Sequence, residues 1–234
     1  MSALRPKRDT RAALHPVCLA PRQEEKMSSD EALAAALAND LDSAFEALAL
    51  AWEHRLYAFA LRMTGRPRDA EELAEETLVQ AWRALVGYPP ERRRTLRLRP
   101  WLFQIVANLA RNRARSARRN ETLSLDAEAP RGDDDQSAAH VAERIADDDP
   151  LGNPEAALAR EQRLADLAAL LLTLPAAQRE VVILRHVEGM GYAAIAEVMG
   201  EPIGTVKSHA SRGMARLRLA LERERVAAAQ EAYS

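Results

Sequence analysis

Apolar residues recur every three or four positions along several segments of the chain, and no segment sustains an alternation of apolar and polar residues. The first spacing is the period of a helix with one buried face, whereas alternation would indicate a strand. Alanine, leucine, arginine and glutamate, which dominate the sequence, are also good helix formers. The pattern therefore predicts an all-α protein.

The longest apolar stripe runs from Ser43 to Met63, and Gly65 and Pro67 end it. It predicts a helix of about five turns with one face in the core. The apolar positions are Phe45, Leu48, Trp52, Leu56, Phe59, Ala60 and Met63.

Two further stripes complete the N-terminal half. Asp69, with Glu72 three residues later, resembles a capping box and predicts a helix start. Pro100 suits the first position of another helix, whose apolar side begins at Trp101. The segment between these helices, residues 87–99, contains two prolines and five arginines and is predicted to be a loop.

The C-terminal third predicts a helix-turn-helix. A short helix, residues 192–199, is followed by Gly200 and Pro202, which bracket a turn before a second helix. One face of that helix is apolar, and the other can place short donors on base edges and basic groups on phosphates. An ordinary helical hairpin with a solvated basic face is the alternative. The outer face carries Thr205, Lys207, Ser208, Ser211, Arg212 and Arg216.

The charge of the chain is unevenly distributed. The formal net charge of −2 does not by itself indicate a nucleic-acid partner. Residues 120–153, however, hold ten acidic and two basic residues, and predict a flexible linker between two small helical domains. The predicted organisation is a disordered extension over 1–27, a helical domain over 28–119, the acidic linker over 120–153, a helix-turn-helix domain over 154–221 and a tail over 222–234.

Candidate catalytic chemistry is sparse. The single cysteine, Cys18, allows no intrachain disulfide, which suits a cytoplasmic protein. The histidines are scattered, and consecutive aspartates in a flexible linker do not form a preorganised metal site. No apolar run approaches the length of a membrane span. We expect no enzymatic activity, metal, cofactor or membrane insertion, and Met27 is a candidate translation start beside Met1.

Two charged surfaces are candidate interfaces. Acidic residues crowd the first turns of the helix after Pro67; the helix dipole explains one or two of them, and a basic partner would explain the rest. An arginine-rich loop with an aromatic residue precedes a basic helix, as expected for contact with DNA backbone and an unstacked base. A solvated arginine-rich surface is the alternative. The loop and helix carry Tyr88, Arg97, Arg99, Asn108, Arg111, Asn112 and Arg115.

Both halves also resemble one family. The C-terminal segment that resembles region 4 of bacterial sigma-70 factors is LPAAQREVVILRHVEGMGYAAIAEVMGEPIGTVKSHASRGMARLR. The segments that resemble region 2 are DAEELAEETLVQAWRAL and RPWLFQIVANLARNRAR. The resemblance is strongest to the small extracytoplasmic-function (ECF) group, although LuxR-type regulators share the piece TVKSH.

The resemblance implies a factor that binds core RNA polymerase, directs it to promoters and opens the −10 element. It implies contacts with the beta-prime clamp helices and beta flap, an anti-sigma factor, and a nucleoid-associated state with polymerase. The loop and basic helix would bind the −10 element, and the outer face of the last helix the −35 element. Glu75 departs from the usual glutamine, and Asn112 from the usual aspartate. The polymerase contacts implied are Asp69, Glu72, Leu73, Glu75 and Glu76.

Two other functions fit part of the pattern. A LuxR-type regulator would bind an operator as a dimer and would need no counterpart of residues 43–119. A sigma mimic would titrate regulators without binding promoters. We further hypothesise that the acidic linker covers the basic faces in the free protein.

Overall fold

The computed structural model describes residues 23–123 and 167–231, and all regular structure in these two ranges is helical. The predicted all-α class is confirmed. The predicted extension as far as residue 22, and the predicted linker from residue 124 onward, lie outside the described residues. In the two ranges, no helix is long and apolar enough to cross a membrane, and no three metal-binding side chains come together.

The N-terminal unit (residues 23–123) is a bundle of helices in which α2 packs between α1, α3 and α5. The first helix begins before Ser28, so the end of the predicted extension is helical. The helices are α1 Gln23–Asn39, α2 Leu41–Thr64, α3 Pro67–Gly87, α4 Pro90–Arg94 and α5 Leu98–Leu123.

The longest predicted stripe forms α2. The carboxylate of Asp40 caps the first turn by accepting a backbone amide at 3.4 Å. Gly65 ends the helix at φ 73°, a left-handed conformation that favours glycine. Trp52 and Phe59 are buried, and their rings lie 5.8 and 5.2 Å from the ring of Phe103 on α5. These edge-type aromatic contacts fix α2 against α5.

Two helix starts differ from the sequence prediction. The start of α3 is Pro67 rather than Asp69, because proline suits the first turn, where its missing amide proton costs nothing. Asp69 lies within that turn and pairs with arginines instead of capping the helix. The predicted loop over 87–99 contains α4, which also begins at a proline, and α5 starts at Leu98.

The C-terminal unit (residues 167–231) contains the remaining helices. A π-helical turn follows α7, and Gly189 leaves that turn at φ 67°. The last helix runs on through most of the predicted tail. The elements are α6 over 167–172, α7 Ala176–Val182, the π-helical turn Ile183–Val187, α8 Tyr192–Met199 and α9 Ile203–Glu231.

The two units share one continuous apolar core. The helix α5 packs against α8, and the Arg179 guanidinium donates to the carbonyl of Met63. Leu172 lies against Gly65, where an added Cβ would be 2.5 Å from the leucine Cδ1. Glycine at 65 therefore serves both the end of α2 and the close approach of the C-terminal unit.

Gly213 lies where α9 crosses α7. A Cβ at this position would be 2.9 Å from Val182 Cγ2 and 3.4 Å from Gln178 Cβ. We expect Gly213→Ala to lower the free energy of unfolding by about 1–2 kcal/mol, because overpacking outweighs a helix-propensity gain of about 1 kcal/mol. Urea denaturation followed by circular dichroism measures the change.

Gly204→Ala is the matched control. It lies on the same helix, and nothing is within 4 Å of its added Cβ. This substitution should leave the free energy of unfolding unchanged or raise it by up to about 1 kcal/mol. Equal losses of stability in the two variants would contradict the close crossing of α7 and α9.

Candidate nucleic-acid interface

The C-terminal unit contains the predicted helix-turn-helix. Gly200 takes φ 67° after α8, and its amide bonds to the carbonyl of Ala196, which closes the helix and turns the chain into α9. The buried side of α8 consists of Ile195 and Val198, whereas Ala196 and Met199 are only partly buried. The turn is therefore made as the sequence predicts.

The outer face of α9 is open to solvent. Its inner face is buried through Val206, Ala210 and Leu217, which matches the predicted stripe. On the outer face, Lys207 Nζ lies 5.9 Å from the ring of Tyr192, within reach of a cation–π contact. The predicted −35 residues Lys207, Ser208, Ser211, Arg212 and Arg216 are exposed, and Thr205 is half-buried.

The N-terminal unit turns its basic face toward the C-terminal unit. Arg97 Nη1 lies 3.0 and 2.9 Å from the two carboxylate oxygens of Glu197. Arg111 Nη1 lies 2.7 Å from Oε1 of Glu180. Both arginines are predicted −10 residues. In this arrangement their guanidinium groups are bound by carboxylates of the same chain.

A third carboxylate of the C-terminal unit, Glu188, lies directly after the π-helical turn. Its Oε2 is 3.3 Å from Arg55 Nη2 and 3.7 Å from Arg99 Nη2. The Arg99 guanidinium also donates to the Glu188 carbonyl. Because only 10% of the Glu188 side chain is exposed, water screens this cluster weakly. The predicted −10 residue Arg99 is thus held by the C-terminal unit as well.

The other predicted −10 residues remain open on the same side of the N-terminal unit. Asn108 and Asn112 each accept a hydrogen bond from the arginine three residues later. Both asparagines and Arg115 are exposed. Tyr88 is half-buried, and the Arg92 guanidinium lies 3.7 Å from the centre of its ring. The structure therefore places the −10 set on one side, part open and part covered.

The acidic residues of α3 fall into two sets. Arg113 of α5 pairs with Asp69 at 3.6 Å and with Glu72 at 2.8 Å, which ties the start of α3 to α5. Glu75 and Glu76 are exposed one turn further on. The first two carboxylates are partly neutralised within the chain, and the second two face solvent.

Leu73 requires a correction. The sequence resemblance places it among polymerase contacts, but its side chain is 1% exposed and packs in the core. It therefore stabilises the packing of α3 rather than offering a surface. Leu73 recurs at the helical spacing with Thr77, Ala81 and Leu85 of α3, and this spacing, rather than the family motif, indicates its role.

Glu180 is buried at the junction of the two units. Its side chain is 1% exposed, and burial raises the pKa of its carboxyl from 4.5 to about 7. The positive charge of Arg111 opposes this rise, and the negative charge of Glu201 adds to it. A carboxyl with this pKa changes its protonation near neutral pH.

Sequence reasoning missed the partners on both sides of the junction. Arg55 lies on the core-facing helix α2, and Glu188 and Glu197 look like ordinary exposed residues in the sequence. Glu180 alone carries a signal, because it immediately precedes the apolar run from Val181 to Leu184. A charge at the edge of such a run favours a buried, paired group.

Comparisons with known proteins cover both units. The family model of Sigma-70 region 2 matches residues 48–120, and the family model of Sigma-70, region 4 matches residues 164–217. The ECF RNA polymerase sigma factor SigE of Mycolicibacterium smegmatis is 33% identical over 180 residues, covering 76% of this chain and 62% of the relative. The RNA polymerase sigma-H factor of Pseudomonas aeruginosa is 30% identical over 183 residues, covering 76% of this chain and 86% of the relative.

Two solved structures have the same fold. The sigma factor RpoE of Bartonella quintana, in complex with the anti-sigma factor NepR, superposes with a TM-score of 0.56 at 27% identity, covering 76% of this chain and 96% of RpoE. CnrH in complex with the cytosolic domain of CnrY gives a TM-score of 0.54 at 25% identity, covering 83% of this chain and 98% of CnrH.

The helical fold and the two matched regions define a transcription initiation factor. With both family regions matched in order, the chain belongs to the sigma-70 family, in the ECF group of RNA polymerase sigma factors. The match to region 2 over 48–120 is the feature that a LuxR-type regulator does not require, so it favours the sigma factor over that alternative.

The raised pKa of Glu180 predicts a pH-dependent stability. The pKa of Glu180 is about 7 in the folded chain and 4.5 for the free group, so the folded chain binds this proton more tightly than the unfolded chain does. The stability that this proton contributes is fully present below pH 4.5 and is lost as the pH rises through about 7. Between about pH 5 and about pH 8, the free energy of unfolding of the wild-type chain should fall by on the order of 2–3 kcal/mol more than that of the Glu180→Gln variant.

Urea denaturation of both proteins across this pH range measures the difference. His186 acts oppositely, because burial lowers its pKa, but its contribution is the same in both proteins and cancels. Parallel pH profiles for the wild type and Glu180→Gln would show that Glu180 is not buried as described.

Proposed function

We propose that this chain binds core RNA polymerase, directs it to specific promoters and opens the −10 element to initiate transcription. The observation that carries this proposal is that one chain presents both an exposed helix-turn-helix face and a separate arginine-rich face. A protein that only binds an operator needs the first face alone. The chain supplies binding energy and polymerase supplies the bond chemistry, so the chain is not itself an enzyme.

The −35 element is the proposed ligand of α9. The exposed start of this helix is long enough to lie in a major groove, where side chains near its N-terminus reach base edges. Hydroxyl groups suit short base contacts, and guanidinium and ammonium groups suit phosphates. The residues proposed for this contact are Thr205, Lys207, Ser208, Ser211, Arg212 and Arg216.

The −10 element is the proposed ligand of the basic side of the N-terminal unit. Tyr88 is an aromatic platform beside a guanidinium, a combination that stacks on an unpaired base. Arg97, Arg99 and Arg111 suit the phosphates, but all three are bound to glutamates of the C-terminal unit. The two units must therefore separate before this face can bind DNA. Asn108, Asn112 and Arg115 complete the proposed set.

The exposed acidic part of α3 is the proposed polymerase contact. Glu75 and Glu76 face solvent and offer charge complementarity to a basic partner such as the beta-prime clamp helices. Asp69 and Glu72 would contribute less, because Arg113 already binds them. The beta flap is the proposed partner of the C-terminal unit.

An anti-sigma factor is a further proposed partner. CnrH and RpoE, which share this fold, were each solved in a complex, RpoE with the anti-sigma factor NepR and CnrH with the cytosolic domain of CnrY. We place the chain in the cytoplasm, nucleoid-associated when bound to polymerase, because that is where a sigma factor meets its promoters.

Run-off transcription with purified core polymerase tests the proposed function. On promoters from the chain's own genome, addition of the chain should yield promoter-specific transcripts. Lys207→Ala with Arg212→Ala should reduce them about tenfold or more, because two charged contacts with phosphates are lost and each such hydrogen bond contributes about 1.5–3 kcal/mol.

Arg218→Ala is the matched control. It removes an exposed arginine from the same helix outside the proposed contact set and should leave transcription unchanged. Transcripts that are absent with the wild type, together with tight DNA binding by the chain alone, would support an autonomous regulator instead.

A further inference from the structure

The Glu188 carboxylate occupies a site built by arginines of the N-terminal unit. Arg55 and Arg99 place guanidinium nitrogens 3.3 and 3.7 Å from its Oε2. In the joined units the two arginine side chains are 25% and 17% exposed, so the recess that holds the anion is closed in part by the C-terminal unit itself. A forked donor in a recess suits a carboxylate or a phosphate equally.

Arg55 is preorganised for anion binding. Its guanidinium lies 3.9 Å from the ring centre of Trp52, which is 1% exposed, and 6.0 Å from the ring of Phe103. These rings belong to the core between α2 and α5, so the platform under Arg55 is rigid. This contact with the rings does not involve Glu188.

The recess carries an excess of positive charge. Burial lowers the pKa of Arg99, the charge of Arg55 lowers it further, and the charges of Glu188 and Asp30 oppose both effects. Arg62 is affected in the same way: burial lowers its pKa and the Glu188 charge raises it. The guanidinium groups of Arg55, Arg62 and Arg99 thus outnumber the carboxylates of Glu188 and Asp30 that act on them. When Glu188 leaves, the excess of positive charge grows and favours another anion.

The recess adjoins the arginine-rich segment proposed to bind the −10 element. A cleft of about 630 Å³ lies at the junction of the units. The N-terminal unit lines it with Arg94, Arg97 and Arg99 and with the acidic residues Asp30 and Glu31, and the C-terminal unit with residues 189–191. The segment 189–191 directly follows Glu188. Departure of the C-terminal unit therefore exposes the recess and the neighbouring arginines together.

We propose that Arg55 and Arg99 form a phosphate site for the −10 DNA strand, which Glu188 of the same chain occupies when the two units are joined. This proposal rests on the proposed function, and it adds Arg55 to the DNA-binding residues. Glu188 then competes with DNA from within the chain, at the high effective concentration of a tethered group. The C-terminal unit and the promoter strand bind the same guanidinium groups in turn.

Fluorescence anisotropy with a labelled 20-nucleotide oligothymidine measures the site without knowledge of the promoter, because a phosphate contact is independent of sequence. In the full chain, Glu188→Gln should increase the affinity about tenfold, since the competing charge is removed. Glu222→Gln, which neutralises an exposed carboxylate on α9, is the matched control and should change nothing.

The salt dependence of oligothymidine binding tests whether Arg55 contacts a phosphate of the strand. In the Glu188→Gln background, Arg55→Ala should lower the slope of log affinity against log salt by about 0.7, the loss of one phosphate contact to a single strand. Arg55→Lys should restore the slope, and circular dichroism of each variant verifies the fold. An unchanged slope in Arg55→Ala, or no gain in affinity or no oligonucleotide binding in Glu188→Gln, overturns the proposal.

These outcomes are separable from failure of the proposed function. If run-off transcription succeeds while the Arg55 and Glu188 variants behave like the wild type toward oligothymidine, the sigma activity stands and the phosphate site is wrong. If no transcripts form but the predicted affinity and slope changes appear, the anion site stands and its assignment to the −10 strand is wrong.

Discussion

Three glutamates of the C-terminal unit bind four arginines of the N-terminal unit, and the joined arrangement of the two units depends on these pairs. Glu188 is nearly buried, and its two arginines offset its loss of hydration. For Glu180, Arg111 offsets only part of that loss, because the pKa of Glu180 stays raised. The exposed pair between Glu197 and Arg97 contributes orientation more than stability. The apolar contact between Leu172 and Gly65 adds shape complementarity at the edge of the same junction.

The same pairs of glutamate and arginine determine which of the two proposed DNA-binding faces is accessible in the free chain. The face of α9 proposed for the −35 element is exposed, whereas part of the face proposed for the −10 element is bound by carboxylates. A ligand that binds only the separated units shifts the chain toward that state by its difference in affinity. In our account, core polymerase and promoter DNA are such ligands. The carboxylates that bind these arginines belong to the helical C-terminal unit. The hypothesis that the acidic linker covers the basic faces concerns residues from 124 onward, which lie outside the described residues.

Local features were predictable from the sequence, and contacts between the units were not. The helical period placed α2 and α9, and a glycine in the left-handed conformation at Gly200 marked the turn between α8 and α9. Helix starts shifted where proline competed with a polar cap, as at Pro67. The pair between Arg111 and Glu180 joins residues far apart in the chain, and periodicity describes only local burial. A family motif contains buried residues as well as exposed ones, and for this reason Leu73 was wrongly assigned to the polymerase contact.

The distance between the two units in solution tests the central claim most directly. The substitution Cys18→Ser removes the native thiol. Nitroxide spin labels are then attached at the exposed positions Leu50→Cys on α2 and Leu219→Cys on α9, and double electron–electron resonance measures the distance between them. Our account predicts one narrow, short distance in the free chain, and a longer one when core polymerase and promoter DNA are bound or when Glu180, Glu188 and Glu197 are all changed to Gln. A free chain that already shows a broad, long distribution, unchanged by these substitutions, would contradict it.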